Sequence, residues 1–223
     1  MNNKNFKALE IKEVDNEFKR NIINKEVNQL PEGDLLIRVE YSSLNYKDAL
    51  SASGNKGVTK KFPHTPGIDA AGEIEHSESS DFSKGDKVVV TGFDLGMNTW
   101  GGYSEYIRVP SDWVLPLPEN LSTREAMIIG TAGITAGLSL SELFLNKIEE
   151  DGNIIVSGAT GGVGLISVAV LASHGFNVTA VTGKKNMRSI LSKIGAAHII
   201  NREELHENAH KPLLKGEYSG AID

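Results

Sequence analysis

The chain has 223 residues, 39% of them hydrophobic, and carries 23 lysines and arginines against 29 aspartates and glutamates, a formal net charge of −6 at pH 7. That length can bury a core as one large or two small domains, and the acidic balance argues against a general nucleic-acid surface, which needs clustered cations. With no cysteine, disulfides, thiolate nucleophiles and every zinc site with a Cys ligand are excluded.

The expected partner is therefore a small molecule, not a nucleic acid. The polar opening Met1-Asn2-Asn3-Lys4-Asn5 lacks the apolar run of a signal peptide, and no stretch is read as approaching the length of a membrane span. No membrane association and a cytoplasmic location are expected.

Along the first half, residues 6–11, 35–41, 72–76, 87–91 and 103–109 read as short strands, several following turns such as Pro31-Glu32-Gly33-Asp34 and Ser83-Lys84-Gly85-Asp86. Short strands without long helices between them imply a compact β domain over residues 1–120. After Pro116-Leu117-Pro118 the texture changes. Ser122 with Glu125 forms a capping-box pattern, and apolar residues at largely helical spacing fill 126–145. Residues 153–157 then read as a strand, 163–173 as a helix, His174-Gly175 as a break and 177–182 as a second strand. This βαβ rhythm makes the fold class α/β, with residues 121–223 the first part of a doubly wound, Rossmann-type parallel sheet. Gly220-Ala221-Ile222-Asp223 reads as the start of another parallel strand. The sheet is therefore expected to be incomplete, and the chain weakly stable or inactive as it stands.

Between the first strand and helix of that unit lies Gly158-Ala159-Thr160-Gly161-Gly162-Val163-Gly164. Strand, glycine turn and helix in this order hold a pyrophosphate: glycines let the backbone approach, and the helix start offers unpaired N–H groups and a positive dipole end. The spacing is GxxGxxG, with Thr160 where the GxGxxG fingerprint has its second glycine; the alternative is an ordinary tight turn. Thr160, Gly161, Gly162 and Val163 are the candidate diphosphate contacts.

The second strand ends in Thr182-Gly183-Lys184-Lys185, and no carboxylate occurs between Val163 and Arg202. An NAD site generally places an acid here for the ribose, whereas the extra phosphate of NADP meets hydroxyls and cations. NADPH is the expected cofactor, with Thr182, Gly183 and Lys184 at its 2′-phosphate; a solvated loop is the alternative for the lysines. No metal site is expected. The six histidines are scattered, and only His206 and His210 share i, i+4 spacing, in a polar stretch that reads as a solvated helix face.

Several segments carry a family resemblance: residues 42–50 (SSLNYKDAL), 62–72 (FPHTPGIDAAG), 100–105 (WGGYSE), Asp112-Trp113, 126–133 (AMIIGTAG) and the glycine turn. In that order they resemble the medium-chain dehydrogenase/reductase superfamily, which joins a GroES-like β domain to a Rossmann domain. The likeness is greatest to the zinc-independent acryloyl-CoA reductase and quinone oxidoreductase branch. Zinc-dependent relatives have a cysteine ligand near the place of Asn45-Tyr46. The resemblance implies reduction by NADPH of a C=C bond conjugated to a carbonyl. The acceptor would be acryloyl-CoA or a similar enoyl thioester; a quinone or enone reductase, and an inactive nucleotide- or partner-binding fragment, are the alternatives. It also implies that Asn45 and Tyr46 are the catalytic residues, that Tyr46 and Thr131 neighbour the cofactor, and that full-length members can be homodimers.

Read as residues, Asn45 and Tyr46 follow a strand and would face the cleft between domains, where an amide and a phenol can donate hydrogen bonds to a carbonyl. The alternative for Tyr46 is a core residue with a satisfied hydroxyl. Asp48 reads as a helix cap, Lys47 as solvated, and Pro66-Gly67 with Asp69 as a structural turn in which Asp69 has no chemical role. Trp100-Gly101-Gly102 reads as a turn with close packing or as the rim of the substrate mouth. Thr131 alone would bond its own helix backbone. Lys56, Lys60 and Lys61 are either cations for CoA phosphates or an ordinary solvated loop.

Overall fold

A computed structural model describes residues 4–146, 148, 152–206 and 216–223. The chain divides into two compact units, Met1–Thr131 and Ala132–Asp223.

The first unit is built on antiparallel strands. β1 (Asn5–Val14) and β2 (Glu17–Glu26) form a ten-residue hairpin in which Val14 faces Glu17. The two loop residues, Asp15 and Asn16, have φ of 54° and 63°, the left-handed pair that suits the twist of a two-residue hairpin. β3 (Leu35–Tyr41), β4 (Asp69–Ser77), β5 (Lys87–Thr91), β6 (Tyr106–Val109) and β7 (Val114–Pro116) make a second sheet in the order β6-β3-β4-β5-β7. Alternate residues of these strands fill its core, with Leu35, Ile37, Ile74, Val88, Val90, Ile107 and Val109 almost fully buried; each such side chain contributes roughly 1.5–3 kcal/mol. The short helix α1 (Tyr46–Ala52) follows β3.

Helix α2 (Thr123–Leu145) begins with the expected reciprocal cap: Glu125 accepts from the Ser122 backbone N–H at 2.9 Å, and the Glu125 N–H donates to Ser122 Oγ at 3.2 Å. At 23 residues it is long and apolar enough to cross a membrane, which corrects the expectation that no stretch approaches that length. Only 22% of its apolar window is buried, but the helix is kinked and anchored at two points. It is broken at Gly130 (φ 49°, ψ −159°), and Met127 and Leu140 are buried in the cores of the first and second unit respectively.

In the second unit, β8 (Asn153–Val156), α3 (Gly162–Ser173), β9 (Asn177–Val181), α4 (Arg188–Lys193), β10 (His198–Ile200) and β11 (Gly220–Ile222) follow in turn. The sheet is parallel, in the order β10-β9-β8-β11. The chain steps outward from β8 to β10 and then returns to the other side of β8. The order therefore reverses between β8 and β11, the kind of switch point where open α/β sheets bind ligands at their carboxyl ends. Ile154, Val156, Val168, Leu171, Val178 and Leu191 form the core beneath.

Candidate functional site

The expected site residues fall into two clusters, one in each unit. In the second unit, β8 runs into the glycine turn and α3 starts from Gly161, which offers no side-chain cap. The N–H groups of Gly162, Val163 and Gly164 therefore open the helix without a side-chain partner, the arrangement that receives an anion. Gly164 is required by packing: a Cβ there would lie 2.5 Å from the Gly158 carbonyl oxygen. Beside the turn is a concavity of about 470 Å³, lined among others by Ser157, Thr160, Thr182, Gly183, Lys184 and Arg202.

Thr160 Oγ1 and Thr182 Oγ1 approach to 3.3 Å, and Thr182 Oγ1 accepts from the Lys184 N–H at 3.1 Å. Of the expected cofactor residues, Thr160, Thr182, Gly183 and Lys184 thus line one cavity, while Gly161, Gly162 and Val163 form the adjoining helix start. Arg202 joins them from beyond β10. No motif announces it, because only the parallel pairing of β9 and β10 brings residue 202 beside residue 183. Among the described residues no carboxylate lies within salt-bridge distance of Lys184 or Arg202. A cavity edged by hydroxyls and two cations fits a phosphate monoester better than a bare ribose.

In the first unit, Asn45 is the N-cap of α1 and Tyr46 its first residue. Tyr46 is 80% exposed, so the alternative of a buried core phenol does not hold. Asn45 is held at both ends. Its backbone N–H donates to Asp48 Oδ2 at 2.9 Å, and its Nδ2 donates to Asp69 Oδ2 at 2.8 Å. Asp48 is the expected cap and more, since Oδ1 also accepts from the Gly67 and Ile68 N–H groups and Oδ2 from the Tyr103 hydroxyl. Burial, followed by the Asp48 charge, pushes the Tyr103 phenol well above its ordinary pKa.

The Thr131 N–H and hydroxyl both turn to Asp69. Its Oγ1 donates to Asp69 Oδ1 at 2.6 Å and its N–H to Asp69 Oδ2 at 3.0 Å, because the break at Gly130 turns the chain toward that carboxylate. Asn45 and Thr131 are thus brought together on Asp69, whereas Tyr46 lies apart from them with no hydrogen-bond partner among the described residues.

Most of the remaining candidates have structural explanations. Trp100 packs against the core around Phe6 and Tyr106, with the buried Lys25 ammonium 3.4 Å from its ring centroid. Gly101 and Gly102 lie where a Cβ would meet the Gly67 and Asp69 carbonyl oxygens at 2.3 and 2.4 Å. Lys56 pairs with Glu13 at 2.6 Å. Among the described residues no cluster of His and carboxylate groups is arranged to hold a metal; His210 lies outside them.

Residues 31–119 match the alcohol dehydrogenase GroES-like domain family. Acrylyl-CoA reductase AcuI of Ruegeria pomeroyi is 41% identical over 221 residues, 98% of this chain and 67% of that protein. YhfP of Bacillus subtilis, named as a candidate quinone oxidoreductase, is 40% identical over 98% of this chain and 66% of its own length. The YhdH oxidoreductase of Salmonella enterica, solved with NADP, superposes with a TM-score of 0.93 at 43% identity, and B. subtilis YhfP, solved with NAD, with 0.93 at 39%. These matches cover 97% and 98% of this chain and 67% of each solved chain. The chain thus spans about two thirds of the length of the relatives it matches. By its GroES-like β unit, its parallel nucleotide-type sheet and these identities, it belongs to the medium-chain dehydrogenase/reductase superfamily, in the branch that holds the acrylyl-CoA reductases and YhfP.

Proposed function

We propose that the protein is an NADPH-dependent reductase of α,β-unsaturated carbonyl compounds, with acryloyl-CoA or a similar enoyl thioester as acceptor. The observation that carries this reading is the cavity beside the β8 turn, where an uncapped helix start adjoins two threonine hydroxyls and two cations, with no carboxylate among the described residues within salt-bridge distance of either cation. Relatives named as acrylyl-CoA reductase and a YhdH structure with bound NADP support it.

The chemistry that bound NADPH supplies is hydride donation. The N–H groups of Gly162 and Val163 would hold the diphosphate, and Thr182, Lys184 and Arg202 the 2′-phosphate. Thr131 is the cofactor neighbour in the first unit. Asn45 donates a hydrogen bond to the acceptor carbonyl and stabilises the enolate charge that develops on its oxygen. Tyr46, 80% exposed, donates a second hydrogen bond or delivers the proton that completes the saturated product. We read the site as zinc-independent because the chain has no cysteine and has Asn45-Tyr46 near the place where zinc-dependent relatives have a ligand.

Titration with NADPH and NADH, followed by turnover with acryloyl-CoA and with a simple quinone, tests the reading. NADPH should bind about tenfold or more tightly than NADH, and acryloyl-CoA should be the better acceptor. Equal affinity for the two dinucleotides overturns the cofactor assignment. Faster turnover of the quinone moves the function to a quinone reductase, the reading favoured by the name of the B. subtilis relative. Binding without oxidation by any acceptor leaves a nucleotide-binding module.

A further inference from the structure

Asp69 is fully buried at the start of β4, and its carboxylate accepts three hydrogen bonds: from Asn45 Nδ2, from the Thr131 N–H and from Thr131 Oγ1. Two of these have a structural explanation. The Thr131 N–H is exposed by the break at Gly130, and a carboxylate at a helix start satisfies such a group and suits the helix dipole. The bond from Asn45 has no part in that cap, since Asn45 belongs to another element and lies 24 positions before Asp69.

What the Asn45 bond does is fix an amide. A carboxylate oxygen accepts and cannot donate, so it decides which end of the amide is nitrogen and commits one of its two N–H groups. The Asn45 backbone is tied independently through Asp48 Oδ2, and the Ser42 hydroxyl donates to the Asp69 carbonyl oxygen at 2.7 Å. The second N–H of Asn45 is therefore left with one direction rather than a choice of rotamers and flips.

We propose that Asp69 is a positioning residue for acceptor reduction: it sets the direction of the remaining Asn45 N–H and ties it to Thr131, so that the carbonyl-facing donor and the cofactor neighbour keep a fixed relation. This inference rests on the reductase reading, in which Asn45 meets the acceptor carbonyl. Preorganised donors are worth most when they do not have to reorient during the reaction.

Three variants test it: Asn45→Ala, Asp69→Asn and the pair together, each measured with acryloyl-CoA at saturating NADPH. In Asp69→Asn, kcat should fall about tenfold or more while NADPH affinity moves by less than about threefold. The double variant should be no slower than Asn45→Ala alone, because both changes remove one arrangement. A purely structural Asp69 would instead lower the melting temperature and multiply its loss onto that of Asn45→Ala, and this result, or an Asp69→Asn enzyme as fast as the parent, overturns the proposal.

Should Asp69→Asn not fold, the parent protein still decides. Its Asn45 side-chain amide, assigned in ¹⁵N spectra by its loss in Asn45→Ala, should show one proton protected from solvent exchange. Two freely exchanging protons overturn the proposal. A parent that reduces no conjugated acceptor defeats the reductase reading, whereas the amide spectra report separately on whether Asp69 holds Asn45.

Discussion

Tyr46 and Asn45 are neighbours in sequence with opposite surroundings: one exposed, the other fastened by two buried carboxylates. That contrast separates their expected variants. Tyr46→Phe removes only a hydroxyl with no partner among the described residues, so stability should be unchanged, while kcat should fall about 10- to 100-fold if the phenol donates to the acceptor. NADPH affinity should fall much less; an unchanged rate removes Tyr46 from the chemistry. At the other cluster, Lys184→Ala should weaken NADPH binding by about tenfold and leave NADH binding almost unaltered, because only the former carries the extra phosphate. Fluorescence titration of both dinucleotides checks this, and equal losses for the two would show that Lys184 does not read the phosphate. Thr182 and Lys184 could be found from sequence because their position after a strand is local. Asp69 and Arg202 could not, since residues 45, 69 and 131 meet only through folding of the β unit and residue 202 reaches the cavity only through strand pairing.

Among the elements, legibility followed local patterning. Strand β5 after the Ser83–Asp86 turn, the Ser122–Glu125 cap and the βαβ order each carry a short-range signal, and each formed as expected. β2 was invisible because most of its residues are exposed, so it lacks the alternation that marks a half-buried strand; its pairing is fixed by β1 and the Asp15-Asn16 turn. The break in α2 was equally hidden. Gly130 sits in an apolar run that reads as one helix, yet a Cβ there would lie 2.4 Å from Ser43 Oγ and 2.8 Å from Asp69 Oδ2. Gly164 offers a direct test of the turn. Gly164→Ala sets a methyl against backbone atoms of Gly158 and Ala159 at 2.5 and 2.7 Å, so helix and strand must separate, at a cost of about 1–3 kcal/mol. The melting temperature should drop and dinucleotide binding should weaken together. A variant that keeps both would mean that the turn can open without disturbing the cradle.

At the scale of the whole molecule, the titration of one buried imidazole gives folding a pH dependence near neutrality. His64 is 1% exposed, and its Nε2 lies 2.8 Å from the Gly96 carbonyl oxygen; a carbonyl only accepts, so Nε2 carries the proton and the ring is held neutral. Burial pushes the His64 pKa below its ordinary 6.5, with the Lys25 charge acting in the same direction and the Gly96 bond and Asp94 charge opposing it. In the unfolded chain the imidazole protonates near 6.5, while in the fold it resists. The unfolded state therefore binds more protons as the pH falls below 6.5, and stability must decline there, being fully present only above that value. The carboxylates with depressed pKa values act at lower pH. Asp34, bonded to the Ser111 N–H, and Glu125, in the α2 cap, begin to lose their contribution only below their ordinary values of 3.8 and 4.5. The interval from pH 7.5 to 5.5 thus spans the imidazole and lies above both carboxylates. Thermal melts should show a falling melting temperature across it, and His64→Gln, which keeps a donor for Gly96 but cannot protonate, should melt lower at pH 7.5 yet with a flatter pH slope. A parent protein with no slope over this interval, or a variant with the same slope, would mean that His64 is not the group that couples proton uptake to unfolding.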